Sequence, residues 1–126
     1  MDIDPRLKDL AHKTCDQLMQ EIRGAKAVLV STEDGFEVAA RVENTAQVTR
    51  LSAMASSLAA LGAMAGEESQ LGGCASMVME AAEGFIAIVQ VELPQVTFIL
   101  SVVTGRDAVV GQMLYFAKQA ARTLQA

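Results

Sequence analysis

The stretch that decides the fold is residues 45–66, which reads TAQVTRLSAMASSLAALGAMAG. Its large apolar residues recur at three- and four-residue steps, which places them on one stripe of an α-helix. The stripe consists of Leu51, Met54, Leu58, Leu61 and Ala65. The other faces carry mostly alanine, serine and methionine, so the helix offers almost no charge to water between Arg50 and Glu67. A helix that is apolar or small nearly all round must be covered on more than one side.

Two arrangements would cover this helix. In a chain of 126 residues the second cover can be another subunit, because small residues let two backbones approach closely and Met and Leu fill the gaps. The alternative is that the helix is the central helix of one monomeric core. The subunit interface is favoured, since a small sheet with few other helices has only one face to offer this helix.

The totals predict a single domain over residues 1–126. Hydrophobic residues make up 52% of the chain and charged residues 20%, which is enough apolar material for one core and argues against disorder. The net charge is −5 and the basic residues are scattered, which argues against binding to nucleic acid or to anionic membranes.

The sequence also predicts a cytoplasmic protein. Cys15 and Cys74 are far apart and form no metal-ligand spacing, as expected in a reducing compartment. The N-terminus, MDIDPRLKDL, lacks the basic end and apolar run of a secretory signal. The most apolar runs are interrupted before the roughly 20 residues that a membrane helix needs.

Upstream of the apolar helix lie a first helix and a hairpin. Pro5 follows Asp4 as N-cap, and the apolar spacing predicts an amphipathic helix over about residues 5–23, ended by Gly24. Two strand-like runs, AKAVLVST and FEVAARV, flank an Asp-Gly pair at residues 34–35, which predicts a tight turn. The first strand is apolar on both faces and is placed in the centre of the sheet, and the second is placed nearer an edge.

Downstream, GEESQLGG is predicted to be a loop, followed by an antiparallel meander of three strands, CASMVMEAAEG, FIAIVQVEL and VTFILSVV. The last strand has no polar face, which suggests a central position. A final helix follows residues 104–107, TGRD. The order αββαβββα predicts an α+β sandwich with a five-stranded antiparallel sheet covered by helices.

The third strand, about residues 74–82, is weakly apolar on both faces, with Met77 and Met79 on one of them. Two positions in the sheet fit this pattern. At an edge, the strand would lack the lysines, prolines and bulges that protect free edges, and it could pair with its twin. The alternative is an ordinary interior strand, and the sequence alone does not favour one over the other.

No catalytic, cofactor or metal site is predicted, and the chain is not expected to be an enzyme. His12 and Cys15 have the spacing of a nucleophile pair, but an exposed histidine beside a core-facing cysteine explains it better. No ligand cluster supports a metal, and the phosphate-binding GxxxxGK[ST] pattern is absent. We interpret residues 104–107 as a helix-capping turn, because Asp107 would repel an anion there.

The sequence resembles the roadblock family, also called the dynein light-chain roadblock family. The resemblance covers VLVSTEDGFEVAA, LSAMASSLAALGAMAG, SMVMEAAEGFIAIVQV, FILSVV and the closing helix. The chain is most similar to the bacterial branch, whose members accompany Ras-like GTPases in polarity, gliding motility and related signalling. This resemblance implies a profilin-like or longin-like sandwich in which the helix of residues 45–66 packs against its symmetry mate and the third strand joins two sheets into one.

The dimer interface is therefore expected at Leu51, Met54, Leu58, Leu61, Ala65, Met77 and Met79. The family's activity implies a non-enzymatic homodimer that binds a small Ras-like GTPase and modulates its GTP hydrolysis or nucleotide cycle. Gln47 and Arg50 are the candidate contacts for this partner, beside the dimer groove. The alternative is a dimeric scaffold or adaptor of a signalling or motility complex, without effect on GTP turnover. A small-ligand sensor is least favoured, since few polar groups could orient a ligand.

Overall fold

Three helices and five strands make up the chain in the computed structural model, which describes residues 3–43 and 48–126. Their order is αββαβββα, as the sequence predicts. The elements are α1 (Pro5–Glu21), β1 (Ala25–Thr32), β2 (Glu37–Val42), α2 (Val48–Glu68), β3 (Ser76–Ala81), β4 (Gly84–Glu92), β5 (Thr97–Gly105) and α3 (Val110–Gln125).

The strands form one antiparallel sheet in the order β2-β1-β5-β4-β3. The predicted central positions of β1 and β5 are confirmed, because β5 is the middle strand and β1 lies beside it. The predicted edge position of β2 is also confirmed. The order answers the question that the sequence leaves open for β3, which is the other edge strand. Between β1 and β2 the register shifts at Val30/Ser31, as at a β-bulge.

Helices α1 and α3 pack on one face of the sheet, and α2 packs on the other. The main core lies beneath α1 and α3, where alternate residues of the central strands meet the apolar faces of the two helices. Val28, Val30, Phe98, Leu100 and Val102 supply the strand side of this core and are fully or almost fully buried. The layer beneath α2 is smaller, with a buried cluster of Ala55, Ala59, Ile88 and Ile99.

The local signals at the start of the chain act as predicted. The side chain of Asp4 accepts a hydrogen bond of 2.9 Å from the amide of Arg6, which caps α1. In the β1–β2 turn Gly35 adopts a φ of +94°, a value that favours glycine. The hydroxyl of Thr32 donates to Asp34 and accepts from the amide of Phe36, so the turn is closed by side-chain bonds as well as by backbone.

The predicted ends of two helices are wrong. Helix α1 ends at Glu21 rather than at residue 23, and its C-cap is Ile22. Helix α2 continues to Glu68, so the first residues of GEESQLGG are helical. After the last helical residue, Gln70 adopts a φ of +61°, and the amide of Leu71 donates to the carbonyl of Gly66. This is the hydrogen-bond pattern of a Schellman motif.

The predicted capping turn over residues 104–107 is also wrong. Thr104 and Gly105 belong to β5, where they pair with Phe85 and Gly84. Helix α3 begins later, at Val110, and its N-cap position has no side-chain hydrogen bond. The start of α3 is therefore set by the packing of its apolar face on the sheet rather than by a capping residue.

Candidate protein-binding surface

Helix α2 lies on the sheet through its smallest side chains. Ser52, Ala55 and Ala59 are the buried residues of the helix, and they recur at the spacing of one helical face. Because these side chains are short, the helix axis lies close to the strands beneath it. Ala55 and Ala59, which the sequence pattern places outside the apolar stripe, thus face the sheet of their own chain.

The large apolar residues of α2 lie on its side rather than beneath it. We call Leu51, Met54, Leu58, Leu61 and Ala65 the α2 flank. Leu51 and Leu58 are half-buried, whereas Met54 is 48% exposed, Leu61 is 59% exposed and Ala65 is exposed. Only 17% of the most apolar 18-residue window of the helix is buried. The predicted interface stripe is thus an apolar surface that is largely open to solvent.

The edge strand β3 continues this surface. Met77, like Leu58 and Ile86, packs against the buried cluster beneath α2. Gly62 allows Met77 to lie this close to the helix, because a Cβ at that position would clash with Cε of Met77. Met79 pairs with Ile86 across β3 and β4 and is 38% exposed. We call the α2 flank together with Met77, Met79 and Ile86 the α2–β3 surface. Ile86 was not predicted, because only strand pairing places it beside Met79.

The outer edge of β3 presents backbone groups to solvent. Gln90 donates from its amide to the carbonyl of Ala75 at 3.0 Å, so the bonded pairs with β4 fall on odd-numbered residues. The amides and carbonyls of Ser76, Val78 and Glu80 therefore point away from β4. Among them, the carbonyl of Ser76 accepts a hydrogen bond of 3.3 Å from the thiol of Cys74. Within the described residues no other strand pairs with this edge. It is a ready template for another strand.

A single charged side chain lies on β3, and it is held by the neighbouring strands. Nη1 of Arg106 lies 2.9 Å from Oε2 of Glu80 and 3.3 Å from the carbonyl oxygen of Ala81. The same guanidinium lies 5.3 Å from the ring centroid of Phe85 on β4. Arg106 thus spans from the end of β5 across β4 to the edge strand, a role that no sequence pattern predicts.

The layer beneath α2 is incompletely packed. A cavity of about 30 Å³ lies between the helix and the sheet, lined by Leu51, Met54, Leu58 and strand residues that include Ser101. The hydroxyls of Ser31, Ser52 and Ser101 are buried and have no hydrogen-bond partner among the described residues. A buried hydroxyl without a partner lowers stability by about 1–3 kcal/mol. This face therefore stabilises the single chain less than the opposite face does.

Of the two candidate contacts for a partner, Arg50 and Gln47, the structure describes only Arg50. Arg50 is exposed in the first turn of α2, close in sequence to the α2 flank. Gln47 lies outside the residues that the structure describes.

His12 and Cys15 do not form an exposed nucleophile pair. His12 is exposed, whereas Cys15 is completely buried beneath α1. Burial, helped by the nearby charges of Asp16 and Glu37, raises the pKa of Cys15 from 9.0 to about 12. A thiol of this kind stays protonated at neutral pH. The interpretation of Cys15 as a core residue is confirmed.

Over residues 3–43 and 48–126 no three His, Cys, Asp or Glu side chains are grouped so that they could hold a metal ion. By length and composition alone, α2 could cross a membrane, whereas the sequence predicts no segment of this kind. The same two properties are found in helices that pack on a sheet and bury an apolar side in an interface.

Comparison with known proteins agrees with this geometry. Residues 12–104, more than half of the chain, match the Roadblock/LC7 domain. No curated protein matches the sequence closely enough to be counted as a relative.

Solved structures match the fold at low sequence identity. A Roadblock/LC7 domain from Streptomyces avermitilis has a TM-score of 0.81 at 18% identity, covering 90% of this chain and 92% of its own. MglB from Myxococcus xanthus has a TM-score of 0.84 at 14% identity, covering 99% and 92%. An MglB with a tetrameric arrangement has a TM-score of 0.85 at 16% identity, covering 98% and 90%. With three helices and a five-stranded antiparallel sheet in the same arrangement, the chain belongs to the Roadblock/LC7 domain family.

Proposed function

We propose that the chain acts as a homodimer that binds a small Ras-like GTPase and modulates its GTP hydrolysis or nucleotide cycle. The observation that carries the proposal is the α2–β3 surface, in which an open apolar helix flank continues into an unprotected sheet edge. Membership of the Roadblock/LC7 family supports it, because the bacterial roadblock proteins that this sequence resembles accompany Ras-like GTPases.

A second copy of the chain fits both parts of the α2–β3 surface. Leu61 and Met54 are roughly half exposed, and burying the exposed half of each stabilises an interface by about 1 kcal/mol. The same association pairs the outer edge of β3. One of the similar structures is an MglB with a tetrameric arrangement, so a related fold assembles with further copies.

The proposed effect on the GTPase requires no catalytic group from this chain. A regulator can change hydrolysis by repositioning the catalytic groups that the GTPase itself carries. This suits the chain, because the buried Cys15 thiol has a raised pKa and stays protonated, and because the open surface is apolar. A two-fold dimer presents one composite groove, so a single GTPase per dimer is expected. We place the protein in the cytoplasm, where such GTPases act, and assign it no cofactor.

Within this proposal Arg50 is the contact that can be tested. It is exposed near the start of α2, at the margin of the α2 flank. Arginine suits a site that meets an acidic or phosphate-bearing partner, since its guanidinium forms paired hydrogen bonds. Arg50→Ala is expected to weaken GTPase binding while the dimer persists. Lys118→Ala, an exposed cation on α3, is the matched control.

The test measures GTP hydrolysis by a purified Ras-like GTPase from the source organism, with and without the dimer. Binding is measured in parallel with GDP and with a non-hydrolysable GTP analogue. A changed turnover rate together with preference for one nucleotide state supports the regulator. Binding with unchanged turnover in either state supports the scaffold or adaptor instead. If no Ras-like GTPase of the organism binds, the GTPase part of the proposal is wrong.

A further inference from the structure

We propose that the groove between α1 and α3 binds a guanidinium group, either the arginine side chain of a protein partner or a free guanidino compound. The groove has a volume of about 160 Å³. That is several times the roughly 30 Å³ that one water molecule occupies in the liquid, so a guanidinium and its first carbon fit. Since α1 and α3 lie on the face opposite α2, the groove is separate from the α2–β3 surface.

One wall of the groove is a stripe of α1 at the spacing of a single helical face, formed by Thr14, Gln17, Leu18 and Glu21. The hydroxyl of Thr14 donates to the carbonyl of Leu10 at 2.8 Å, so its oxygen can only accept a hydrogen bond from a ligand. Leu18 is almost completely buried and therefore belongs to the floor. Glu21 is exposed and supplies a carboxylate.

The other wall is a stripe of α3 with the same spacing, formed by Phe116, Gln119, Ala120 and Thr123. Phe116 and Ala120 are half-buried, and the small side chain of Ala120 leaves the space open. The hydroxyl of Thr123 donates to the backbone carbonyl of Gln119 at 3.2 Å, so it too can only accept from a ligand. The groove thus combines an apolar floor with hydroxyl and carboxylate oxygens that accept hydrogen bonds.

The electrostatics of the groove favour a cation. Of the described residues that line it, only Glu21 is charged. Glu21 is the last residue of α1, whose last turn carries no basic residue, and the carbonyls at a helix C-terminus add partial negative charge. Arg23 is the nearest cation along the chain, but no ion pair within residues 3–43 and 48–126 involves Glu21. A bound cation would offset this negative charge.

The shape of the groove favours a guanidinium over an ammonium. A guanidinium is a planar fork that can donate two parallel hydrogen bonds to one carboxylate, here Glu21, and still has N–H groups for the oxygens of Thr14 and Thr123. Its flat face is weakly hydrated and stacks on aromatic rings, and Phe116 provides such a ring. An ammonium is a compact, strongly hydrated charge that gains less from a flat, partly apolar groove.

A titration followed by NMR of the isotope-labelled chain tests the proposal. A capped glycine-arginine-glycine peptide is expected to bind with a dissociation constant of about 1 mM, as befits a small ligand. The shifted amides should be confined to the two stripes. The same peptide with citrulline, which is neutral and has nearly the same shape, is expected to bind at least about 10-fold more weakly. Equal binding of the two peptides, or shifts elsewhere on the chain, would overturn the proposal.

Glu21→Gln removes the carboxylate charge with little change in shape. Glu68→Gln is the matched control, since Glu68 is also exposed and is also the last residue of its helix, α2. Glu21→Gln is expected to weaken binding of the arginine peptide about 5-fold, whereas Glu68→Gln leaves it unchanged. Equal weakening would show a general attraction of cations to a chain of net charge −5 and would overturn the site. The spectrum of each variant also shows whether it is folded.

Phe116→Leu tests the stacking. The unmodified chain is expected to bind the arginine peptide about 3-fold more tightly than the equivalent lysine peptide, and Phe116→Leu is expected to remove this preference. An unchanged preference would show that the ring does not select guanidinium. Agmatine, a free guanidino compound, identifies the source: tighter binding than the peptide assigns the groove to a free ligand, and weaker binding assigns it to a partner's arginine. None of these results depends on the dimer or on a GTPase, so the groove and the proposed function fail separately.

Discussion

The two faces of the sheet differ in how completely one chain can cover them. Beneath α1 and α3, strand residues such as Leu100 and Val102 meet two helices and are completely buried. Beneath α2 lie a small cluster, a cavity of about 30 Å³ and buried hydroxyls without partners. The stability of the single chain therefore resides mainly on the first face, and in the proposed dimer a second copy would complete the second face.

The largest expected effect breaks the association on the second face. Leu61 on the α2 flank and Tyr115 on α3 are 59% and 58% exposed, so they are matched positions on opposite faces. Leu61→Glu is expected to raise the dimer dissociation constant at least about 1,000-fold, since two unpaired charges would be buried near the axis. Tyr115→Glu is expected to leave it unchanged. Sedimentation equilibrium measures both.

If Tyr115→Glu disrupts the dimer and Leu61→Glu does not, the contact lies on the α1/α3 face. Leu58→Glu is also expected to break the dimer. Leu58 is half-buried against the cluster beneath α2, however, so that substitution also disturbs the fold of the single chain. Leu61 is therefore the cleaner test.

The next effect compares neighbouring residues of β5 that point to opposite faces. Leu100→Ala is expected to lower the free energy of unfolding by about 3 kcal/mol or more, because the packed layer beneath α1 and α3 cannot collapse around the cavity. Ile99→Ala is expected to cost less, about 2 kcal/mol, since α2 can settle into the space. Urea unfolding of both variants in the Leu61→Glu monomer measures the difference. Equal losses would mean that the two layers support the chain equally.

The third prediction uses pH to probe the first face. Cys15 has its pKa raised from 9.0 to about 12 in the folded chain, mainly by burial. The unfolded chain therefore loses this proton at lower pH, so the contribution to stability is complete below pH 9 and falls as the pH rises toward 12. Between about pH 8 and about pH 10.5, the unmodified chain is expected to lose about 2 kcal/mol more stability than Cys15→Ala. Urea unfolding at the two pH values measures this, and identical losses would contradict it.

The smallest effect concerns the buried hydroxyls of the second face. Ser52→Ala is expected to raise the free energy of unfolding by about 1.5 kcal/mol, because it removes an unpartnered hydroxyl and introduces a better helix former. Ser57 is exposed on the same helix, and Ser57→Ala is expected to gain only about 0.5 kcal/mol. Thermal unfolding compares the two variants. Equal gains would indicate that the Ser52 hydroxyl is satisfied in solution.

Much of the fold was predictable, because the spacing of apolar residues determines which segments form helices and which form buried strands. The runs around Val28 and Leu100 have no polar face, which predicted central strands, and the Asp-Gly pair at residues 34–35 predicted the hairpin. The edge position of β3 was not predictable, because it depends on β1 pairing with β5, a contact between distant segments. Local pattern does not specify such a choice.

The candidate surface was predictable only in its large residues. The α2 flank was identified from its spacing, whereas the sheet-facing row of Ser52, Ala55 and Ala59 gave little signal, since alanine and serine fit either environment. The end of α2 was missed because glycine is the usual residue at the left-handed position after a helix, and here that position is Gln70. Arg106 was missed because its partners, Glu80 and Phe85, come together only through strand pairing.

The bulge between β1 and β2 limits how many copies of the chain could join into one sheet. The other edge strand, β2, carries two charged side chains, Glu37 and Arg41, and Nη1 of Arg41 lies 3.3 Å from Oδ1 of Asp16 on α1. The register shift at Val30/Ser31 also interrupts the regular pairing of β1 with β2. Charged side chains and bulges discourage further strand pairing. A sheet made of two copies joined at β3 would thus have both outer edges formed by β2. Growth would stop at two chains, which gives a closed particle of fixed size rather than a fibre.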